Sequence, residues 1–256
     1  MSDLDVRVAD GALYLTLNRP DTFNALTGEM VVGILEALRG AGSGDEVRVV
    51  VLTGSGLAFS AGADLSGDDP QQKYGADSVD AANQVVRSII EHERPVVCGL
   101  NGIAAGVGMS IALACDLVVA KESAALTLAF SRVGLMPDGG ATATVAAALG
   151  RARAMRLALL SDVITARDAY DAGLVSHVFA EHEYDAGLAA IAGRLATGAP
   201  LALAATKKAV NAATLVELGP AFQRERSGQS VLLRTEDAAE GMRAFTEKRK
   251  PDFHGR

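Results

Sequence analysis

Two turns rich in glycine and alanine, each directly after a strand-like run, constrain the fold of this chain most strongly. The first, FSAGADL (residues 59–65), follows the β-branched run VRVVVLT (47–53). The second, NGIAAGVGM (101–109), follows PVVCGL (95–100) and opens into the apolar helical stretch 109–115. Small residues let a ligand approach the backbone, and a helix start leaves N–H groups without partners. Two such amides aimed at one carbonyl oxygen form an oxyanion hole, which stabilises negative charge that develops on this oxygen.

Composition bounds the class of protein. The chain has 256 residues, of which 49% are hydrophobic, so it can build one large core, or one core and a small appendage. Its net charge of -7 argues against a nucleic-acid partner, and the sequence shows neither a signal-peptide pattern nor 18 consecutive apolar residues. Cys98 and Cys115 lie in apolar runs and are interpreted as reduced core residues without metal-ligand spacing. We therefore expect a cytoplasmic protein with no membrane partner and no metal.

Strand-like runs alternate with helical patterns along most of the chain. The predicted strands span residues 12–17, 47–53, 96–100, 117–120 and 174–179, and the predicted helices span 30–39, 81–93, 109–114 and 142–149. This order predicts an α/β fold with parallel strands and crossover helices. Residues 67–79 are polar and turn-rich and predict a mobile loop beside the first turn, whereas from about residue 199 one helix follows another.

Several motifs, in order along the chain, resemble the crotonase (enoyl-CoA hydratase/isomerase) superfamily. Besides the two turns they are NRP (18–20), NAL (24–26), GLMPDGG (134–140) and EKRK (247–250). The segments 129–140, 150–155 and 244–249 are similar to those of the phenylacetate-pathway ring-epoxide isomerases.

Membership of this superfamily implies a particular architecture and assembly. Residues 1–198 would form a spiral of ββα units with the acyl-CoA site, and residues 199–256 a C-terminal helical trimerisation region. These helices would pack on neighbouring subunits of a homotrimer or of a dimer of trimers. The resemblance also implies a coenzyme A thioester as the substrate and no further cofactor.

The resemblance assigns the oxyanion hole to the backbone N–H groups of Ala63 and Val107. Ala63 follows Gly62 in the first turn, and Val107 lies between Gly106 and Gly108 at the helix start, where the helix dipole favours negative charge. The alternative is that these glycines only allow tight packing of strand against helix. A dinucleotide site is not predicted, because residues 102–108 do not give the pattern G-x-G-x-x-G.

The chain departs from the hydratase pattern at two positions. Enoyl-CoA hydratases use two glutamates to position and activate water, one three residues after the second donor and one four residues before the glycine that matches Gly134. Here these positions hold Ser110 and Phe130. A hydroxyl and a phenyl ring cannot replace two carboxylates in acid–base catalysis, so we expect poor hydration.

Asp138 is the remaining candidate for proton transfer. Its position carries a catalytic aspartate in part of the superfamily, where one carboxylate moves a proton between two carbons of a thioester dienolate. Apolar neighbours such as Phe130 and Met136 would raise its pKa and make it a stronger base. One alternative is that Asp138 caps the helix that starts near Gly139. Another is attack on an aryl ring, as in 4-chlorobenzoyl-CoA dehalogenases, whose tryptophan and histidine are replaced here by Phe130 and Asn83.

The resemblance also indicates where the coenzyme A substrate binds. The matching positions are Arg19, Ala25, Ala61, Gly62, Asp64, Leu65, Gly106, Phe130, Phe245 and Lys248. Asp64 is interpreted mainly as a residue that holds the first turn, and Lys248 as one that meets a phosphate across a subunit contact. Arg19 and Lys248 are equally compatible with plain solvated side chains.

Three functions remain open at this point. The preferred one is an acyl-CoA isomerase with Asp138 as its single base. The second is an enoyl-CoA hydratase of fatty-acid β-oxidation, in which another carboxylate, for example on the 67–79 loop, activates water. The third is a non-catalytic acyl-CoA-binding protein, in which Asp138 has a structural role only.

Overall fold

A computed structural model describes residues 2–42, 46–66 and 70–256 of the chain. Its strands are β1 (Leu4–Ala9), β2 (Ala12–Leu17), β3 (Val49–Gly54), β4 (Ala58–Ser60), β5 (Val96–Leu100), β6 (Ile103–Ala105), β7 (Leu117–Lys121), β8 (Ala125–Thr127), β9 (Ile164–Thr165) and β10 (His177–Phe179). Its α-helices are α1 (Gly28–Gly42), α2 (Pro70–Lys73), α3 (Ala76–Ile90), α4 (Val107–Ala114), α5 (Ala141–Leu149), α6 (Arg151–Leu160), α7 (Ala166–Ala172), α8 (Tyr184–Ala196), α9 (Pro200–Thr214), α10 (Leu218–Leu232) and α11 (Glu236–Thr246). Short 3-10 turns cover Pro20–Thr22 and Phe130–Val133.

Two sheets organise the described residues. The larger has the strand order β1-β2-β3-β5-β7-β10 and is parallel throughout except for the antiparallel β1–β2 pair. The smaller has the order β4-β6-β8-β9, with β9 antiparallel to β8. The pairs β3–β4, β5–β6 and β7–β8 thus each give one strand to each sheet, and helices follow each pair. This arrangement confirms the predicted spiral of ββα units.

The central strands of the larger sheet are buried on both faces, which explains their continuous hydrophobic runs. In β3, Val50 and Leu52 join the main core, which also contains side chains of α1, α3 and α4. Val51 belongs instead to a second cluster on the opposite face, where α8 contributes Tyr184, Leu188 and Ile191.

The last helices return to the spiral of their own chain. α9 is held by Lys207, which is 7% exposed, pairs with Asp116 at 2.8 Å and donates to the Ile89 carbonyl at 2.8 Å. α10 packs on α3 and α5, and α11 packs on α2 and on the turn at 130–133. Residues 199–256 therefore contact elements of their own chain. Packing on neighbouring subunits, and the division of the chain after residue 198, stay predictions.

The predicted strand bounds hold to within two residues for β2, β3, β5 and β7 and fail at the start of β10. β2 and β5 begin and end where predicted. β10 is shorter than the predicted strand 174–179, because the Leu174 and Val175 amides bond to the Ala169 carbonyl and close α7. β1 was not predicted, although its sequence LDVRVA alternates apolar and polar residues as a strand does. It is an edge strand in which only Leu4 is buried.

The prediction of a loop at 67–79 is wrong for residues 70–73 and 76–79, which are helical, and the predicted mobility stays a prediction. Residues 67–69 lie outside the described part of the chain. α2 begins at Pro70, and α3 begins at Ala76, before the predicted start at 81. The polar residues that suggested a loop, such as Asp77 and Ser78, form the first turn of α3 instead.

Among the described residues, no single helix has the length and hydropathy needed to cross a bilayer. α8 and α9 meet the length and hydropathy criteria only as a pair, and the chain bends by 105° at the break between these two helices.

Candidate active site

The first Gly-rich turn leaves β4 and is held by backbone hydrogen bonds on both sides of Ala63. The Leu26 N–H donates to the Gly62 carbonyl at 2.8 Å, and the Asp64 N–H donates to the Leu26 carbonyl at 3.2 Å. This parallel bridge uses the neighbours of Ala63 and not Ala63 itself. The Ala63 N–H consequently has no acceptor among the described residues.

The second turn exposes an amide at the start of α4. Gly106 precedes the helix with φ 54° and ψ -131°, a backbone conformation that favours glycine. Its N–H donates to the Thr127 carbonyl at 3.0 Å, and its carbonyl accepts from the N–H groups of Met109 and Ser110. Val107 is the first residue of α4, so its N–H has no acceptor inside the helix. Within the described ranges it has none outside the helix either.

The two turns lie in contact. A methyl group on Gly62, which has φ +94°, would lie 2.8 Å from the Ala105 carbonyl oxygen and 3.6 Å from the Val107 nitrogen. β4 and β6, the strands that precede the turns, pair in parallel. The fold therefore brings the free amides of Ala63 and Val107 to neighbouring turns. Their role as an oxyanion hole stays a prediction at this point.

Arg19 ties the first turn to the segment before α1. Its Nη1 donates to the Ala25 carbonyl at 2.7 Å and to Asp64 Oδ2 at 2.9 Å, while its Nε lies 3.4 Å from Asp3. Burial opposes ionisation of Asp64, but hydrogen bonds with Ser66 and the Arg19 ion pair outweigh it and hold the pKa of Asp64 below its ordinary value. Arg19 and Asp64 thus brace the turn, and Arg19 is part of this brace rather than a free cation.

Residues 70–74, called the clasp below, form hydrogen bonds both with the first turn and with the connection between α10 and α11. The Tyr74 hydroxyl donates to the Asp64 carbonyl at 2.7 Å, and burial raises the pKa of Tyr74 to about 12. Gln71 Nε2 donates to the carbonyls of Leu233 at 2.7 Å and Thr235 at 3.0 Å, between α10 and α11. Just before the clasp, Leu65 packs on a small buried cluster that consists of Val79, Val133, Leu233 and Met242.

Asp138 lies in the turn before α5, and this turn packs against the first turn of α4. It is 8% exposed; its Oδ2 accepts a hydrogen bond from Gln229 Nε2 at 2.8 Å, and its buried Oδ1 has no partner among the described residues. A methyl group on the adjacent Gly139 would lie 3.7 Å from Val107 Cγ2. Burial, opposed by the Gln229 hydrogen bond and aided by the negative charge of Glu225, raises the pKa of Asp138 to about 7.

The Asp138 carboxyl does not cap the helix that follows it. α5 begins at Ala141, and Glu225 of α10 binds its first turn. The Glu225 carboxylate accepts from the Gly140 N–H at 2.7 Å, the Thr142 N–H at 2.9 Å and the Thr142 hydroxyl at 2.5 Å. Burial raises the pKa of Glu225, although these hydrogen bonds oppose the shift. The capping alternative for Asp138 is therefore wrong, because another carboxylate occupies this helix start.

Ser110 and Phe130, at the two positions where the hydratase pattern has glutamate, lie near the turn that carries Asp138. The Ser110 hydroxyl donates to the Asp138 carbonyl at 2.8 Å. Phe130 is 8% exposed, and its Cζ would lie 4.0 Å from a methyl group on Gly106. Met136 lies against Gly228 of α10. These positions therefore brace and enclose the turn and supply no carboxylate.

Sequence reasoning missed Glu225 and Gln229. Both are buried polar side chains on one face of α10, four positions apart, and both reach the turn that carries Asp138. Arg224 and Arg226 flank Glu225, and Gly228 and Ser230 flank Gln229, so their immediate neighbours in the sequence do not mark them as inward-facing. The available signal was their helical spacing from Ala221 and Phe222, the apolar residues buried on the same helix.

The remaining predicted contacts of coenzyme A are scattered. Ala61 is exposed on the first turn, and Ala25 is buried. Phe245 is 62% exposed at the end of α11, and Lys248 lies just beyond it. The Lys248 ammonium has no hydrogen bond or ion pair within the part of the chain that the structure describes. The fold of one chain thus gathers the two turns and Asp138, and leaves Phe245 and Lys248 at the surface.

The chain is similar to known proteins over almost its whole length. A family model described as enoyl-CoA hydratase/isomerase matches residues 7–256. The chain is 36% identical to 1,2-epoxyphenylacetyl-CoA isomerase of Escherichia coli (strain K12) over 97% of each protein. It is also 36% identical to 2,3-dehydroadipyl-CoA hydratase of the same strain over 100% of each. A crystal structure of an enoyl-CoA hydratase from Mycobacterium avium subsp. paratuberculosis K-10 has a TM-score of 0.93 and 46% identity, with 99% of both chains covered.

Proposed function

Since the chain belongs to the enoyl-CoA hydratase/isomerase family of enzymes, we propose that it is an acyl-CoA isomerase. In the proposed reaction a double bond migrates, or an activated ring rearranges, through a thioester dienolate. Asp138 is the single base, and the N–H groups of Ala63 and Val107 form the oxyanion hole. Coenzyme A enters as part of the substrate, and the reaction uses no further cofactor.

The observation that carries this proposal is the state of the Asp138 carboxyl. One oxygen is held by Gln229, whereas Oδ1 is buried and without a partner among the described residues, beside the turn that bears the Val107 amide. A buried oxygen without a partner costs free energy in the resting protein, and a C–H proton of a bound substrate supplies the partner it lacks. A carboxyl with a structural role would instead have both oxygens bound.

The proposed proton path needs one base. Asp138 takes a proton from one carbon of the acyl chain, the electron pair moves toward the thioester oxygen, and the same carboxyl returns the proton two carbons along. A pKa of about 7 suits both steps, because the carboxylate and the acid are comparably populated near neutral pH. Each backbone amide contributes roughly 2.7–4 kcal/mol to the transition state.

The positions of Ser110 and Phe130 argue against water addition. Hydration requires groups that orient water and transfer its proton, and here one position donates to the Asp138 carbonyl while the other holds a buried ring. No water has to be added when the same proton moves between two carbons.

A paired assay on the purified protein tests the proposal. Migration of the double bond in 3-hexenoyl-CoA and addition of water to crotonyl-CoA are measured in parallel, with Asp138→Asn beside the unmodified chain. We expect the unmodified protein to catalyse migration without fast hydration. The rate of migration should be about a thousandfold lower in Asp138→Asn. Asp162→Asn is the control, since Asp162 pairs with Arg156 at the surface; it should keep full activity. Migration that persists in Asp138→Asn would exclude the single-base mechanism.

A hydratase is the second candidate. It is supported by the full-length relative named 2,3-dehydroadipyl-CoA hydratase and by the structural similarity to the mycobacterial enoyl-CoA hydratase. Fast hydration of crotonyl-CoA that survives Asp138→Asn would favour it. Binding of both thioesters without any turnover would favour the third candidate, a non-catalytic acyl-CoA-binding protein.

We also propose that the substrate contacts the ten residues matched from the family and that the protein assembles as a homotrimer or a dimer of trimers. The exposure of α9 supports the proposed assembly. This largely apolar helix has no buried residue in one chain, and 84% of Leu201 and 54% of Val210 are exposed. In such an assembly Phe245 and Lys248 would meet coenzyme A bound to a neighbouring subunit. Sedimentation equilibrium measures the number of chains, and a monomer would exclude this proposal.

A further inference from the structure

Gln229 of α10 makes three hydrogen bonds to the turn that carries Asp138. Its Nε2 donates to Asp138 Oδ2 at 2.8 Å and to the Met136 carbonyl at 3.0 Å, and its Oε1 accepts from the Met136 N–H at 3.2 Å. The side chain is 2% exposed. Each of these bonds joins α10 to residues 136–138.

We propose that Gln229 is a positioning residue of the active site, whose amide occupies Asp138 Oδ2 and so leaves Oδ1 as the one atom that exchanges the proton. This inference rests on the proposed function, because it specifies how the base of that reaction is presented. It also makes α10 part of the active site, although this helix lies far along the chain from the two turns.

The Met136 backbone determines which way the Gln229 amide faces. The Met136 N–H requires an acceptor, and the Met136 carbonyl and Asp138 Oδ2 require donors. Only the orientation with Oε1 toward the N–H satisfies all three groups; the flipped amide would place Oε1 against two oxygens. The Met136 backbone thus determines the orientation of the Gln229 amide, and this amide in turn holds Oδ2 of the Asp138 carboxyl.

The hydrogen bond also affects the charge of Asp138. Burial and the negative charge of Glu225 favour the protonated acid, and the Gln229 bond favours the carboxylate. Of the other elements at this turn, α4 contributes the uncharged Ser110. α11 meets this segment at Gly134, through the backbone of Asp237 and Ala238, while the Asp237 carboxylate accepts from the N–H groups of His254 and Gly255. Burial is thus the main cause of the raised pKa of Asp138, and Glu225 and Gln229 are the side chains that modify it.

Gln229→Met tests the proposal, because it keeps the length of the side chain and removes its donor and acceptor. The pH dependence of kcat/KM for migration in 3-hexenoyl-CoA is measured from pH 5 to 9. We expect the acid limb to move up by about one pH unit, since the carboxylate loses its donor. The rate should then fall about tenfold at pH 6 and change little at pH 9. Ser230→Ala is the control, because the Ser230 hydroxyl bonds its own helix, at the Arg226 carbonyl; it should leave the limb in place.

A second variant and a second measurement cover the case in which Gln229→Met does not fold. Gln229→Glu keeps the shape and places a second carboxyl against Asp138, so the acid limb should again move up. Titration of Asp138 by carboxyl 13C NMR, with the resonance identified by its loss in Asp138→Asn, gives the same shift without any turnover.

The outcomes separate this inference from the proposed function. An acid limb and an NMR titration that stay in place in both Gln229 variants would overturn the positioning role while the isomerase assignment stands. If the unmodified protein shows no migration, the proposed function fails. The NMR shift then still decides whether Gln229 controls Asp138.

Discussion

The candidate site has two halves, one made of backbone amides and one of buried side chains around a carboxyl group, and different elements of the fold position them. The amide half consists of the N–H groups of Ala63 and Val107, each a few residues after a strand of the smaller sheet. The carboxyl half consists of Asp138 with Gln229 and Glu225, which reach it from α10. The first half depends on two turns that the pairing of β4 with β6 brings together, whereas the second exists only after Glu225 and Gln229 of α10, more than 80 residues further along the chain than Asp138, have packed.

This difference determines what kind of change each half tolerates. An amide donor is present in every residue except proline, so the amide half depends on the path of the backbone and hardly on side-chain chemistry. The carboxyl half depends on which atoms occupy a few buried positions, so a replacement of the same size can change it. Substitutions in the two halves should therefore change the free energy of unfolding in opposite directions and should affect activity in different ways.

The largest expected effect is a gain of stability in the carboxyl half. Asp138→Asn removes a charge that the native state buries, since the pKa of Asp138 is about 7 in the folded protein against an ordinary value of 3.8. The cost of this ionisation is full above about pH 7 and vanishes as the pH falls toward 4, because the folded and unfolded chains then bind the proton about equally. We expect the free energy of unfolding to rise by up to about 4 kcal/mol at pH 8.

Urea denaturation of both proteins at pH 4 and pH 8 measures this difference. The gain should shrink to near zero at pH 4. A variant that is less stable than the unmodified chain at pH 8 would show that the carboxylate stabilises the fold, which contradicts its assignment as a strained base.

The next effect, of opposite sign, belongs to the amide half. Gly62→Ala places a methyl group 2.8 Å from the Ala105 carbonyl at a residue with φ +94°, so the two turns must separate. We expect about a hundredfold loss of kcat/KM and a loss of about 1–3 kcal/mol of stability. Ala63→Ser is the matched control, because it keeps the N–H and the backbone path; its activity should stay within about threefold of the unmodified chain. Equal losses in both variants would mean that side chains, and not amides, matter here.

The smallest effect distinguishes the two partners of Asp138. Glu225→Gln removes the negative charge that raises the pKa of Asp138, so the acid limb of the migration rate should move down by about half a pH unit. This is the reverse of the shift expected for Gln229→Met. The variant also leaves an amide group facing donors on α5, which should cost about 1–3 kcal/mol of stability. If the acid limb moved in the same direction in Glu225→Gln and Gln229→Met, Glu225 would not be acting as a negative charge on Asp138 and Gln229 as a hydrogen-bond donor to it.

The same contrast explains what sequence alone could predict. β3 and β5 are continuous apolar runs because they are buried on both faces, so the α/β fold could be predicted from the sequence. The two glycine-rich turns also stand out in the sequence, but the assignment of the Ala63 and Val107 amides to one oxyanion hole came from the family resemblance and stays a prediction. The role of α10 could not be predicted, since a buried Glu225 and Gln229 look like solvent-facing residues until their partners on the turn at 136–142 are known. β1 was not predicted, although the alternation of Leu4, Val6 and Val8 with Asp5 and Arg7 is typical of a strand.

The position of α10 in the chain has a consequence for protein synthesis. A ribosome releases the strands and both amide-bearing turns before it releases the helix that carries Glu225 and Gln229, and chains begin to fold from the N-terminal side as they emerge. A nascent chain can therefore form its pair of free amides while the Asp138 carboxyl is still unheld. Translation order thus separates completion of the amide half from completion of the carboxyl half.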